Sequence, residues 1–145
     1  MYNSVIELLP KAKIVFRNDE GFNQKIYEIS NIYNDIPTTF KEKFCLLPRC
    51  YLGLEAIQAG HRLGTHIDYK PRISNLLINI NNDPVTIVHS NKGTLEEHTI
   101  EPLEYFLVDV YKEHGCNEIY KNDITFLTIN YHLPYNVVTR RLNYD

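Results

Sequence analysis

The chain has 145 residues, 43% of them hydrophobic, with a formal net charge of -3 and a sequence pI near 6.1. That size suits one domain around one core, and the charge lacks the basic footprint of a protein that grips nucleic-acid backbone. No apolar run approaches the roughly 20 residues of a membrane helix, the N-terminus lacks the long apolar centre of a secretory signal, and three cysteines (Cys45, Cys50, Cys116) make no disulfide framework, so a cytoplasmic protein with reduced thiols is expected.

In chain order, residues 5–9 form a short apolar segment cut by Pro10, and residues 12–16 read as a strand running into the polar Arg17-Asn18-Asp19-Glu20. Phe22, Ile26, Ile29 and Tyr33 then recur at spacings of four, three and four. This stripe predicts an amphipathic helix, with Asn18 or Asp19 as N-cap, packed on the outside of a sheet. Pro37 and the polar TTFKEK segment end it and link to residues 44–47. From there short strands are expected at 51–57, 62–69, 73–80, 85–89, 94–101, 105–110, 111–119 and 124–131. They are separated by turn residues at Gly60, Asn81-Asn82-Asp83-Pro84, Ser90-Asn91-Lys92-Gly93 and Lys121-Asn122-Asp123. The tail, 135–145, reads as a closing turn of helix or a surface strand. Eleven Tyr and six Phe, with many Ile and Val against one Met, reinforce the β reading. The expected fold is mainly β, a sandwich or barrel for which a jelly roll fits the strand count, in a single domain over residues 1–145. Residues 1–50 would be an N-terminal strand and helix extension, 51–131 the core and 132–145 a tail.

The chemistry concentrates in His66-Ile67-Asp68. In an extended strand the two polar side chains point the same way, so an imidazole nitrogen and a carboxylate oxygen can bind one ion. They would supply two corners of the facial triad of two histidines and one carboxylate that leaves positions on iron open. His61, His89, His98 and His132 read as surface or rim residues. His114 differs, because it starts a strand that a jelly roll can bring opposite His66 and Asp68, and because the His114-Gly115 step permits close approach of backbone or ligand. Cys116, two residues on, would share its face. Cys45 and Cys50 lack the companions of a zinc site.

The succession HID, Arg72 before SNLLINI, then FLVDVYKEHGCN and the closing ITFLTINY, resembles the iron(II)- and 2-oxoglutarate-dependent oxygenases over roughly residues 51–131, most of all their small phage- or metagenome-type members. The resemblance implies a double-stranded β-helix, with iron(II) held by His66, Asp68 and His114 and 2-oxoglutarate as cosubstrate. It implies hydroxylation of an unactivated carbon in a small molecule or in a side group of a protein or nucleic acid. The chain departs from the pattern at one point. Where the family carries an Arg or Lys near the start of the last strand to pair with the far carboxylate of 2-oxoglutarate, this sequence has Ile124 and Thr125. Arg72 and Lys121 are the candidate substitutes, with Tyr69 or Tyr51 adding a hydroxyl. Two other readings stay open: a cupin-like metalloprotein that does not use 2-oxoglutarate, and a metal-free jelly-roll binding or structural module.

Overall fold

The computed structural model describes residues 1–19, 22–61, 63–66, 74–116 and 118–143. Within them ten strands form two antiparallel sheets. The larger sheet holds β1 (Lys13–Asn18), β2 (Phe22–Glu28), β3 (Tyr51–Ile57), β5 (Ser74–Asn79), β8 (Tyr105–Asp109) and β10 (Ile124–Asn130), in the order β1-β2-β3-β10-β5-β8. The smaller holds β4 (Leu63–His66), β6 (Val85–Asn91), β7 (Thr94–Ile100) and β9 (His114–Cys116), in the order β4-β9-β6-β7. Three short helices, α1 (Tyr2–Leu8), α2 (Thr38–Lys43) and α3 (Tyr135–Leu142), complete a mainly β jelly roll. None of the described helices is long and apolar enough to cross a membrane.

Apart from β1, which is largely exposed, the strands of the larger sheet bury residues on both faces, and the alternation of side chains sorts these between two cores. Leu52, Leu76, Ile78, Leu107, Leu127 and Ile129 face a layer built by the first fifty residues and the tail, where they join Val5, Leu9, Phe40, Phe44 and Val138. Phe40 and Phe44 are fully buried with ring centroids 4.9 Å apart, and each contributes about 1.5–3 kcal/mol through the surface it removes from water. The alternate set, Ile57, Ile124 and Phe126, turns toward the smaller sheet and meets Val85, Ile87, Ile100 and Cys116. The face between the sheets also carries buried polar groups, Gln24, Glu55, Asn75 and Thr128. A cavity lies there.

Several expectations change. The stripe Phe22, Ile26, Ile29, Tyr33 does not form a helix packed outside: residues 22–28 are β2, hydrogen-bonded between β1 and β3 with Phe22 opposite Ile57 and Tyr27 opposite Leu52. Tyr27 and Ile29 serve the outer core while Phe22 packs against the inner one, so apolar residues on both faces of a strand imitate a helical period. Asn18 closes β1 instead of capping a helix. TTFKEK, expected as a linker, is α2, led in by Pro37 and anchored by Phe40. Residues 2–8 are α1, followed by a 3-10 turn over Leu9–Lys11, and the tail resolves as the helix α3, whose C-cap Asn143 takes the left-handed conformation. The strand expected over 111–119 contracts to His114–Cys116.

Candidate functional site

β4 and β9 are neighbours in the smaller sheet, and their register places His66 directly opposite His114. Directly opposed residues of an antiparallel pair project to the same face. The two imidazole centroids lie 4.5 Å apart, within reach of a single ion held by nitrogens at about 2.1 Å. Gly115 sets this distance. A Cβ there would stand 2.6 Å from the Gly64 carbonyl oxygen and 2.9 Å from the Thr65 Cα, so only glycine lets β4 lie this close to β9. On the flank of the pair, the Thr65 hydroxyl donates to Glu113 at 2.7 Å and ties the same two strands.

Each histidine is also oriented by its own strand. His66 Nδ1 lies 3.1 Å from the Gly64 carbonyl oxygen and His114 Nδ1 lies 2.7 Å from that of Lys112. A carbonyl only accepts, so Nδ1 is the donor in both rings, and in a neutral imidazole this leaves the lone pair on Nε2. Such a backbone hydrogen bond behind a metal-binding imidazole fixes its tautomer and ring direction. The donor chemistry therefore fits a divalent transition metal.

His66 and His114 line a cavity of about 70 Å³ between the sheets. The smaller sheet adds Ile87, Val88, Gly115 and Cys116, and the larger sheet adds Phe22, Ile57, Leu77, Val108 and Phe126. Two polar groups complete the lining, the Glu55 carboxylate on β3 and the Asn75 amide on β5. Glu55 is 6% exposed and accepts a short hydrogen bond from the Nε2 of Gln24, its direct cross-strand partner on β2. Cys116 does share the face of His114, its thiol directed to the Thr86 carbonyl and pushed up in pKa by burial.

Of the residues singled out in the sequence, the structure brings His66 and His114 together. Asp68, Tyr69 and Arg72 lie outside the described residues. Lys121 is exposed in the turn before β10 and lines a separate groove of about 480 Å³ with Asn81, Asp83 and Asp123. Tyr51 places its ring edge-on to His132 at 4.4 Å. Among the described residues no three His, Cys, Asp or Glu side chains gather round one point. His89 was expected at the rim, yet it is 7% exposed and continues the row beside His114, 6.5 Å between centroids. Its Nε2 accepts the backbone N–H of Asp109 from the opposite sheet, and burial, followed by the His114 charge, lowers its pKa. His89 is thus a neutral tie between the sheets. Glu55, Gln24 and Asn75 were missed altogether. An acid in the apolar run YLGLEAI, at the parity of Ile57, was the available signal.

No family model matches this chain, and no curated protein matches it. Solved structures do. The hydroxypropylphosphonic acid epoxidase from S. wedmorenis superposes with a TM-score of 0.53 at 8% identity, over 85% of this chain and 56% of that one. Oxalate decarboxylase from Bacillus subtilis gives 0.54 at 14% identity, over 93% and 35%. The vicilin of Corylus avellana (hazelnut) gives 0.53 at 8%, over 82% and 30%. The chain thus spans little more than half of the epoxidase and about a third of the other two. At these identities the likeness is one of fold alone, and it agrees with the jelly-roll architecture.

Proposed function

We propose that the protein is a mononuclear iron(II) oxygenase built on a double-stranded β-helix, its metal held by His66, Asp68 and His114. The observation that carries this reading is the pairing of His66 with His114 across β4 and β9, each ring fixed through Nδ1 so that Nε2 is the ligating nitrogen. Asp68, two residues beyond His66, supplies the carboxylate if the strand continues in extended form. Fold likeness lends further support. The epoxidase has been described with Fe(II), and oxalate decarboxylase with Mn(II) centres.

Iron(II) in such a site supplies activation of oxygen for attack on an unactivated carbon. The chain's own residues bind and orient. His66 and His114 provide neutral donors, Asp68 offsets the charge of the metal, and the apolar walls at Ile57, Leu77, Val108 and Phe126 keep water away from the reacting centre. The substrate is a small molecule or a side group of a larger one.

In the form implied by the family resemblance, 2-oxoglutarate is the cosubstrate, with Arg72 or Lys121 as its candidate anchor. A specific observation favours a second form, a cupin-like oxygenase that works without 2-oxoglutarate. Ile124 and Thr125 stand at the start of the last strand, where a basic side chain would pair with the far carboxylate of 2-oxoglutarate. Anaerobic iron(II) titration separates the cases. One equivalent should bind, and replacing His66, Asp68 or His114 by Ala should weaken binding at least a hundredfold. Full binding in those variants would refute the metal assignment. A visible absorption band on adding 2-oxoglutarate, with succinate formed in air, selects the first form, and iron binding without either selects the second.

A further inference from the structure

β1 is an edge of the larger sheet, paired with β2 on one side and with no strand on the other among the described residues. It carries Ile14, Val15 and Phe16, three consecutive large apolar side chains that are 45%, 40% and 48% exposed. The register against β2 shifts by one residue at Val15. Ile14 therefore stands opposite Tyr27 on the outer-core side, and Phe16 opposite Ile26 on the side of Phe22 and the cavity. Hydrocarbon is left in water on both faces of one strand. The other long edges differ. β8 buries Leu107 and Val108, and in β7 the one exposed large apolar residue, Leu95, is followed by the exposed charges of Glu96 and Glu97. Edge strands are ordinarily blunted, because backbone groups beside exposed apolar side chains are a template for another strand. On β1 the blunting consists of the bulge and of two cations, Lys13 and Arg17, which deter an arbitrary strand. A second copy laid antiparallel meets those cations with charge of the opposite sign.

We propose that β1 is the contact strand of a symmetric dimer, in which a second copy of this chain adds its own β1 antiparallel and joins the two larger sheets into one. The charges select both partner and register. With Phe16 opposite Phe16 across the two-fold axis, Lys13 of each copy meets Asp19 of the other, since both lie three residues from the centre. Asp19, just beyond β1, is exposed and already held at 2.9 Å by Arg17 of its own chain, so each end of the strand pair gathers two cations round one carboxylate. Strand addition covers Ile14 on one face and Phe16 on the other at once, which a ligand lying on either face alone would not do. A contact of this length falls short of the roughly 800 Å² per partner of a standard interface, so the dimer is a weak one that forms in the micromolar range or above. It forms whether or not a metal is bound.

Sedimentation equilibrium of the full chain, from micromolar to millimolar concentration, should show a mass that climbs from 17.0 kDa toward twice that value. Phe16→Lys, which sets two like charges face to face on the axis, should hold the protein at the lower mass with its circular dichroism spectrum unchanged. The register has its own check. Lys13→Glu alone or Asp19→Lys alone should weaken association about fivefold, as exposed ion pairs repeated twice by symmetry allow, and the two changes together should restore it. A covalent readout covers the case in which Phe16→Lys folds poorly. Directly opposed residues of an antiparallel pair lie within disulfide reach, so mild oxidation of Phe16→Cys should yield a crosslinked dimer. Ile14→Cys, whose counterpart in the second copy lies several residues away along the pair, should crosslink no more than the wild type. A monomer at every concentration would overturn the proposal and leave this edge to a strand of some other protein. A dimer insensitive to Phe16→Lys, a charge swap that fails to rescue the single changes, or equal crosslinking of the two cysteine variants would overturn it as well.

Discussion

Gly115 is the smallest side chain at the site and the one with the least freedom to change. Its missing Cβ is the space in which the backbone of residues 64–65 sits, and that contact sets the spacing of the two imidazoles. Gly115→Ala should push β4 off β9 and lower affinity for iron(II) or its analogue cobalt(II) at least tenfold, measured by metal titration, while the secondary structure seen by circular dichroism persists. An unchanged affinity would show that β4 is positioned by other contacts. A different histidine governs behaviour in acid. His132 has its Nε2 buried without a hydrogen-bond partner among the described residues, and burial, followed by the Arg49 charge, holds its pKa below the ordinary histidine value. The unfolded chain, with a pKa of about 6.5, therefore takes up the proton first. The stability tied to the neutral ring is complete above that pH and is lost as pH falls through it toward the folded value. His89 shifts in the same direction. Denaturant midpoints measured at pH 7.5 and 5.5 should drop for the wild type and drop less for His132→Asn, a residue that tolerates the positive φ of 56° at this position. Equal drops would exclude His132 as a source of the acid sensitivity.

At the scale of elements, the strands of the core were legible, whereas in the first fifty residues only β1 was. Strands β3, β5, β6, β7, β8 and β10 fall within a residue or two of the segments bounded by Gly, Asn, Asp and Pro, because turn chemistry is local and can be read locally. His66 and His114 were legible as well. The alternation of one strand and the start of another are sequence properties, although their meeting depends on β9 lying between β4 and β6. β2 could not be read this way, since its outer face is covered by residues that come before and after it and its apolar pattern records two environments at once. Glu55 was passed over for a related reason: its cross-strand partner Gln24 sits on that misread element. The helical layer is joined to the sheet by specific bonds as well as by packing. The Tyr131 hydroxyl, following β10, donates to the Phe44 carbonyl at the end of α2 over 2.7 Å in a fully buried setting. Tyr131→Phe deletes the donor and leaves that carbonyl without it. A loss of about 1 to 3 kcal/mol in unfolding free energy is expected from chemical denaturation. A variant as stable as the wild type would show the bond to be replaceable.

For the molecule as a whole, the division of labour runs between the two faces of the larger sheet. The outer face holds most of the large buried side chains and most of the stabilising hydrocarbon, which leaves the inner face able to carry a carboxylate, two amides and a cavity at tolerable cost. In the smaller sheet β4 and β9 pair over only a few of the described residues. His66 and His114 face each other there although much of the polypeptide lies between them. An ion shared by their imidazoles would act on the chain as a removable crosslink, drawing together two remote points and depriving the denatured coil of some of its slack. Saturating cobalt(II) should accordingly raise the melting temperature and a chelator should reverse the gain, with midpoints that track free metal concentration. The same addition to a His114→Ala protein should do neither. The proposed ligand pair would then also serve as a fastener of the smaller sheet.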